Sequence, residues 1–354
     1  MVAVNEGERK KYLNKTVQQI DLESSKSIKE LVDSFQGASI QARGIGQCAK
    51  VYENMLTDED RPVIILGLSG ALIAGGLRKV IRDLVKNNLV DVIASTGAVM
   101  YQDYYQARGY KHYVGDPAAD DVKLRELFID RIYDTYVDEV KFDETDEHIS
   151  RLIEKLPAGD YSSRQILSML GKDANDENSI LYQAYKNGVP VFSPALCDSS
   201  IGIGYVKYYS RHLKKTFKDR ATLDMIKDNY EIVKIIQKAK KTGAIYIGGG
   251  TPKNWVNDAV VMVTYITGQE FPGHTYIFQL TTDVPHWGGL SGSTLKEAQS
   301  WGKVSKKATK ATAYVEATVS LPLVAGYIMQ KPELYKDRKR LKFDWDASDG
   351  LSIE

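Results

Sequence analysis

The sequence predicts an α/β protein: a doubly wound, mostly parallel sheet preceded by an N-terminal helical arm. Three stretches carry that expectation. Residues 62–68 read PVIILGL, a short continuous apolar run, followed by SGALIAGG and a helical pattern over 77–89. Residues 90–95, VDVIAS, run into the small residues TGA at 96–98. Residues 244–250, AIYIGGG, end in three glycines. Each reads as a strand with glycine or other small residues at its carboxyl end. In open parallel sheets such ends form ligand crevices, so these turns are candidate cofactor loops.

The other elements follow in chain order. Residues 1–25 are polar and charged and read as an arm or short helix. From Ser27 to Met55 apolar residues recur at helical spacing, so residues 1–55 are taken as the helical arm. Within it GIGQCA (44–49) matches the letters of a dinucleotide fingerprint. That motif needs a strand entering the glycine turn, and none precedes it, so it is rejected. Residues 100–160 read as surface helices and long loops, with DETDEH (143–148) as a solvated face. SILYQAYKNG (179–188) predicts a helix closed by glycine, PVFSPAL (190–196) a strand, and CDSSIGIG (197–204) a loop at its end. Asp198 and its serines suit either a ligand or a helix cap. The lysine-rich stretch near 207–219 reads as a solvated helix. ATAYVEATVS (311–320) predicts a last strand. Residues 56–330 are expected to form one α/β catalytic domain and 331–354 a charged, peripheral tail.

Composition narrows the classes of function. The 354 residues can bury a sizeable core, and 43% apolar with 26% charged residues fits a water-soluble globular chain. Lys+Arg number 47 and Asp+Glu 46, so no net field recruits nucleic acid or an anionic membrane. Two cysteines, Cys48 and Cys197, form no disulfide framework, and a reducing cytoplasm is expected. No run approaches the ~18 apolar residues of a membrane helix. The five histidines show no metal-ligand spacing, so no metal is expected, and His286 is read as structural. GLSGA (67–71) and GLSGS (289–293) both fail the GxSxG nucleophile pattern.

The chemical centre is expected in HWGGLSGSTLKEAQSWGK, residues 286–303. Its glycines allow close approach by another molecule, and an acid (Glu297), a large aromatic (Trp301) and an amine (Lys303) follow. An apolar wall beside a lysine disfavours its charged form and frees the amine as a nucleophile. A glycine loop, a core tryptophan and a solvated lysine fit the same spacing.

The wording is more specific. SWGK preceded by GxSGxxxxEA, with VDVIASTGA (90–98), LYQAYKNGVPVFSPALCD (181–198), YIGGGTPKN (246–254) and EAQSWGK (297–303), resembles the deoxyhypusine synthases. The likeness runs from about Phe35 to Gln330. It implies a Rossmann-like NAD-binding domain, a homotetramer with active sites between paired subunits, and transfer of an aminobutyl group from spermidine through a lysine imine. By resemblance Lys303 is the imine-forming catalytic residue and Trp301 walls the amine channel, with Glu297 in the same segment. Ser69, Gly70, Ala71, Thr96, Gly97, Ala98, Asp198, Gly249, Thr282, Asp283, Glu316 and Ala317 match cofactor-contacting positions. The acceptor implied is a lysine of a translation factor.

The departures cluster on the polyamine side. Gln102, Ile203, Asn254 and Leu290 stand where the family places acids or a histidine. A hydrogen bond to a charged group contributes roughly 1.5–3 kcal/mol, so spermidine is expected to bind weakly in the family's pose. Gly70 and Ala71 also replace polar residues of the cofactor loop. The resulting expectation is an NAD-dependent aminoalkyl transferase acting on a polyamine. Its acceptor is a protein lysine or a free amine such as putrescine; a non-catalytic NAD-binding regulator is the alternative.

Overall fold

The computed structural model describes residues 5–214, 216–348 and 350–354. Its centre is a six-stranded parallel sheet made of β1 (Val63–Leu68), β2 (Val92–Ser95), β3 (Val191–Phe192), β4 (Thr242–Ile247), β5 (His274–Leu280) and β6 (Val304–Ala313). The spatial order is β6-β5-β4-β1-β2-β3. This is the order of doubly wound dinucleotide-binding sheets, and the chain reverses direction between β1 and β4. The expected fold class is therefore what the molecule adopts.

Strands β1, β2, β3 and β4 are buried on both faces, which is why they read as apolar runs. Along β1, Ile64, Leu66 and Leu68 enter one core and Val63 and Ile65 the other. The first core is covered by α1 (Ile40–Thr57), α2 (Arg78–Lys86) and α6 (Ala317–Met329), among others. The second is covered by α5 (Gly250–Thr267) and the helix Met225–Lys238. GIGQCA lies inside α1. A Cβ on Gly44 would meet the Thr312 carbonyl oxygen at 3.1 Å, so the glycine lets α1 lie against β6. Ile45, Cys48, Val51, Tyr52 and Met55 of this helix belong to the first core.

Several local expectations change. The last strand of the central sheet is Val304–Ala313, and residues 317–329 form α6, with the Glu316 carboxylate accepting from Thr318 N at its start. Residues 97–107 form a largely buried helix, α3 (Gly97–Ala107). Beyond it the short strands His112–Val114, Ile129–Ile132 and Thr135–Asp138 pair as an antiparallel sheet rather than long loops. In DETDEH, Thr145 and Asp146 are buried against α4 (Ser200–Arg211), and desolvation pushes the Asp146 carboxyl up to about 6. CDSSIGIG is mostly the start of α4. The basic stretch near 207–219 is not one helix, because α4 ends at Arg211 and Ala221–Leu223 is a strand; residue 215 lies outside the described residues. The terminal segment is anchored: Arg338 pairs with buried Asp91 at 2.7 Å, and Leu351 is fully buried.

Candidate functional site

Two clefts flank one turn of chain: the first opens at the carboxyl end of the sheet, the second beside α5 and the segment that leads into β6. The first, of about 650 Å³, lies over the ends of β1, β4, β5 and β6. It collects Ser69, Gly70, Ala71, Gly249, Thr282, Asp283, Glu316 and Ala317, eight of the residues expected around a cofactor. The β1 and β4 ends are tied together: Ser69 Oγ accepts from Gly249 N at 2.8 Å and donates to the Ile247 carbonyl at 3.2 Å. Gly70 has φ +99° and Gly248 φ +71°, conformations that favour glycine. A Cβ on Gly248 would also meet Ser69 Oγ at 2.4 Å. The hairpin turn Ile132–Thr135 closes the outer side.

Thr96, Gly97, Ala98 and Asp198 do not line this cleft. Thr96 caps α3, its N–H bonded to the Leu68 carbonyl at 3.0 Å. Gly97 packs on Ser199, where a Cβ would meet Oγ at 2.4 Å, and Ala98 is exposed. Asp198 is exposed in the turn before α4. These four gather one strand further along the edge, at the ends of β2 and β3.

The second cleft, of about 770 Å³, is lined by Asn254, Leu290, Glu297, Trp301 and Lys303, together with Lys253, Asp258 and Tyr265. Lys303 is mostly buried, and its Nζ lies 2.8 Å from Asp258 Oδ1 and 3.1 Å from Asn254 Oδ1. Asn254 Nδ2 in turn donates to Asp258 Oδ2 at 2.7 Å. Trp301 covers the amine, its ring centre 5.3 Å from Nζ. The wall beside Lys303 is thus aromatic on one side and carboxylate on the other, not apolar throughout. Glu297 begins a short helix and accepts weakly from Thr294 N, while its own N–H donates to Thr294 Oγ1 at 2.9 Å.

Two expected amine-side positions lie elsewhere. Gln102 sits on α3 outside both clefts, its Oε1 buried without a hydrogen-bond partner among the described residues. Ile203 lines an apolar groove on α4. Their placement has a simple cause: both follow the ends of β2 and β3, on the opposite side of β1 from the glycine turn and Lys303.

Sequence reasoning missed Asp258 and Lys253. Asp258 stands four residues after Asn254 on α5, and that spacing puts both on one helix face. Lys253 is 2% exposed, and only the fold reveals it. Its Nζ donates to Gln279 Oε1 at 3.0 Å and to the carbonyls of Ser291 (3.2 Å) and Ser293 (2.5 Å). Burial lowers this ammonium to about 8, against the pull of the Glu297 and Asp283 carboxylates.

Comparison with known proteins places this geometry in a family. The family model for deoxyhypusine synthase matches residues 30–328. The chain belongs to the deoxyhypusine synthase family. It is 41% identical over 332 residues to the protein named "probable deoxyhypusine synthase 2" of Methanosarcina mazei, covering 93% of this chain and 94% of that one. It is likewise 41% identical over 343 residues to the deoxyhypusine synthase-like protein of Elusimicrobium minutum, covering 95% and 89%. A solved structure from Entamoeba histolytica named for the same family superposes with a TM-score of 0.59 at 19% identity, covering 88% of this chain and 96% of that one. AgrE, solved with ornithine and NAD+, shares the fold at a TM-score of 0.51 and 12% identity, covering 83% and 34%. None of the helices described is long and apolar enough to cross a membrane.

Proposed function

We propose that this protein is an NAD-dependent aminoalkyl transferase that carries its aminobutyl-type cargo as an imine on Lys303. The observation that carries the reading is the pairing of two clefts across one turn. A strand-end crevice of the kind that takes dinucleotides lies on one side, and a shielded amine lies on the other. The first cleft fits the cofactor: glycines with positive φ line it, Gly249 before α5 and the first residues of α6 border it, and the Glu316 carboxylate suits a pair of ribose hydroxyls. When bound, NAD supplies reversible hydride acceptance.

The chain's own residues supply the rest. Asp258 and Asn254 hold the Lys303 amine in place. An amine oxidised at the carbon bearing its nitrogen becomes an imine. Lys303 Nζ adds to that carbon, a C–N bond to the first amine breaks, and the released diamine leaves with the proton. An acceptor amine then displaces Lys303 in the same way, and return of the hydride fixes the new C–N bond. Trp301 and Leu290 limit water at the mouth of the cleft.

Leu290 and Asn254, uncharged where the family anchors spermidine, favour a non-standard amine substrate such as putrescine over the standard spermidine-to-protein-lysine reaction. A homotetramer is part of the same reading, supported by the exposed Tyr265, Trp287 and Trp301 around the second cleft. Incubation with NAD and a panel of polyamines, with products read by mass spectrometry, tests the function. A new aminobutylated amine and released diamine are expected; absence of NAD-dependent products with every amine would reject it.

A further inference from the structure

The turn Leu290–Ser293 is a partition with one face in each cleft. Ser291 lines the first, whereas Leu290 and Ser293 line the second. Little intrinsic structure holds it: it is a single 3-10 turn between glycines. What holds it is a polar knot beneath. Lys253 donates to the Ser291 and Ser293 carbonyls and, at 3.5 Å, to that of Leu290. Gln279 accepts from Lys253 and donates to the carbonyls of Gly248 and Ser291, both at 2.8 Å. Ser291 Oγ accepts from Gly250 N at 2.9 Å. The knot therefore joins the partition to the end of β4, the part of the sheet that floors the cofactor cleft.

We infer that Lys253 is a positioning residue that locks this partition, so that occupancy of the first cleft sets the geometry around Lys303. The coupling rests on the proposed cofactor; the locking does not. A buried amine whose acceptors are all neutral is a costly way to fix a turn, because removing its partners strands a charge. Among the described residues no carboxylate bonds it directly. The charged groups facing it are Glu297 from the short helix after the turn, Asp283 from the loop after β5, and Lys303. Above about pH 8 the amine loses a proton and one of its donated bonds, which should loosen the partition.

Two readouts on Lys253→Met separate locking from general stability. Without ligand, hydrogen–deuterium exchange in peptides spanning 284–296 should rise about tenfold, while peptides from β4 and β5 keep their protection. With NADH, the rate of reductive methylation of Lys303, read by peptide mass spectrometry, should change in the unaltered protein and stay constant in the variant. Unchanged exchange over 284–296 would overturn the inference, as would an NADH effect on Lys303 that survives the substitution. An unaltered protein that binds no NADH would instead refute the proposed cofactor, and the exchange readout would still decide the locking. Should Lys253→Met fail to fold, the unaltered protein serves: intrinsic-rate-corrected protection over 284–296 should fall between pH 7 and 9 while the sheet's does not. Constant protection across that range would contradict the inference.

Discussion

The two clefts are built from different materials. The first is backbone: strand ends, glycines and helix starts, held by bonds such as Ser69 to Gly249. The second is side chains brought from far apart in sequence: Asn254 and Asp258 from α5, Lys303 from the start of β6, and the glycine turn between them. A backbone cleft follows from topology, because any parallel sheet of this order leaves a crevice at its switch point. A side-chain cleft can change its charges without changing the fold. On the proposed reading, that difference lets the amine side change its groups while the sheet and the first cleft stay in place.

The sharpest way to break the comparison is to alter the amine side alone. Lys303→Arg should cut turnover by on the order of a thousandfold, because arginine stays protonated and forms no imine. NADH affinity, followed by fluorescence, should hold. Asp258→Ala comes next. Losing bonds worth roughly 1.5–3 kcal/mol to the charged amine should lower turnover about ten- to a hundredfold, again with NADH affinity preserved.

The cofactor side should respond in the opposite sense. A Cβ on Gly249 would lie 2.6 Å from Ser291 Cα, a backbone atom that cannot step aside. Gly249→Ala should therefore weaken NADH binding about tenfold, at an overpacking cost of roughly 1–3 kcal/mol. Charge restoration sharpens the boundary of the amine cleft. Leu290→Asp should improve use of spermidine about tenfold, and less in high salt. Gln102→Glu should leave spermidine use unimproved, since Gln102 lies outside both clefts.

The smallest effect concerns stability away from either cleft. Burial pushes the Asp228 carboxyl from 3.8 up to about 7, and its Oδ2 has no partner among the described residues. The folded protein thus holds a proton that the unfolded chain releases, so this group favours folding below about pH 4 and the benefit is lost as pH rises through 7. Asp228→Asn keeps the acceptor for Ser163 N and should flatten that decline in urea-melt stability between pH 4 and 7.

What the sequence disclosed follows the same division. β1, β2 and β4 were legible because strands buried on both faces must be apolar throughout. β6 was not: it is an edge strand, and VSKKATKATA carries the lysines that keep an edge from pairing with other chains. α6 was misread as strand because Thr318 and Val319 are β-branched and its cap is a glutamate, not one of the usual Ser, Thr, Asp or Asn. Eight cofactor-side residues meet in one cleft because they sit at strand ends, whose neighbours the topology fixes. Lys253 was invisible because burial leaves no local pattern; the spacing of Asp258 from Asn254 was readable, but its pairing with Lys303 across chain distance was not. Gln102 lies apart from Lys303 within the chain because it follows β2, on the other side of β1 from the glycine turn.

The account rests most heavily on Lys303 as the covalent carrier, and borohydride trapping tests it most directly. The protein is incubated with NAD and each polyamine, reduced, digested and read by peptide mass spectrometry. The account predicts an aminobutyl-type mass increment on Lys303, dependent on NAD and absent in Lys303→Arg. Turnover without any adduct on Lys303, or an adduct on another lysine that persists in Lys303→Arg, would contradict it.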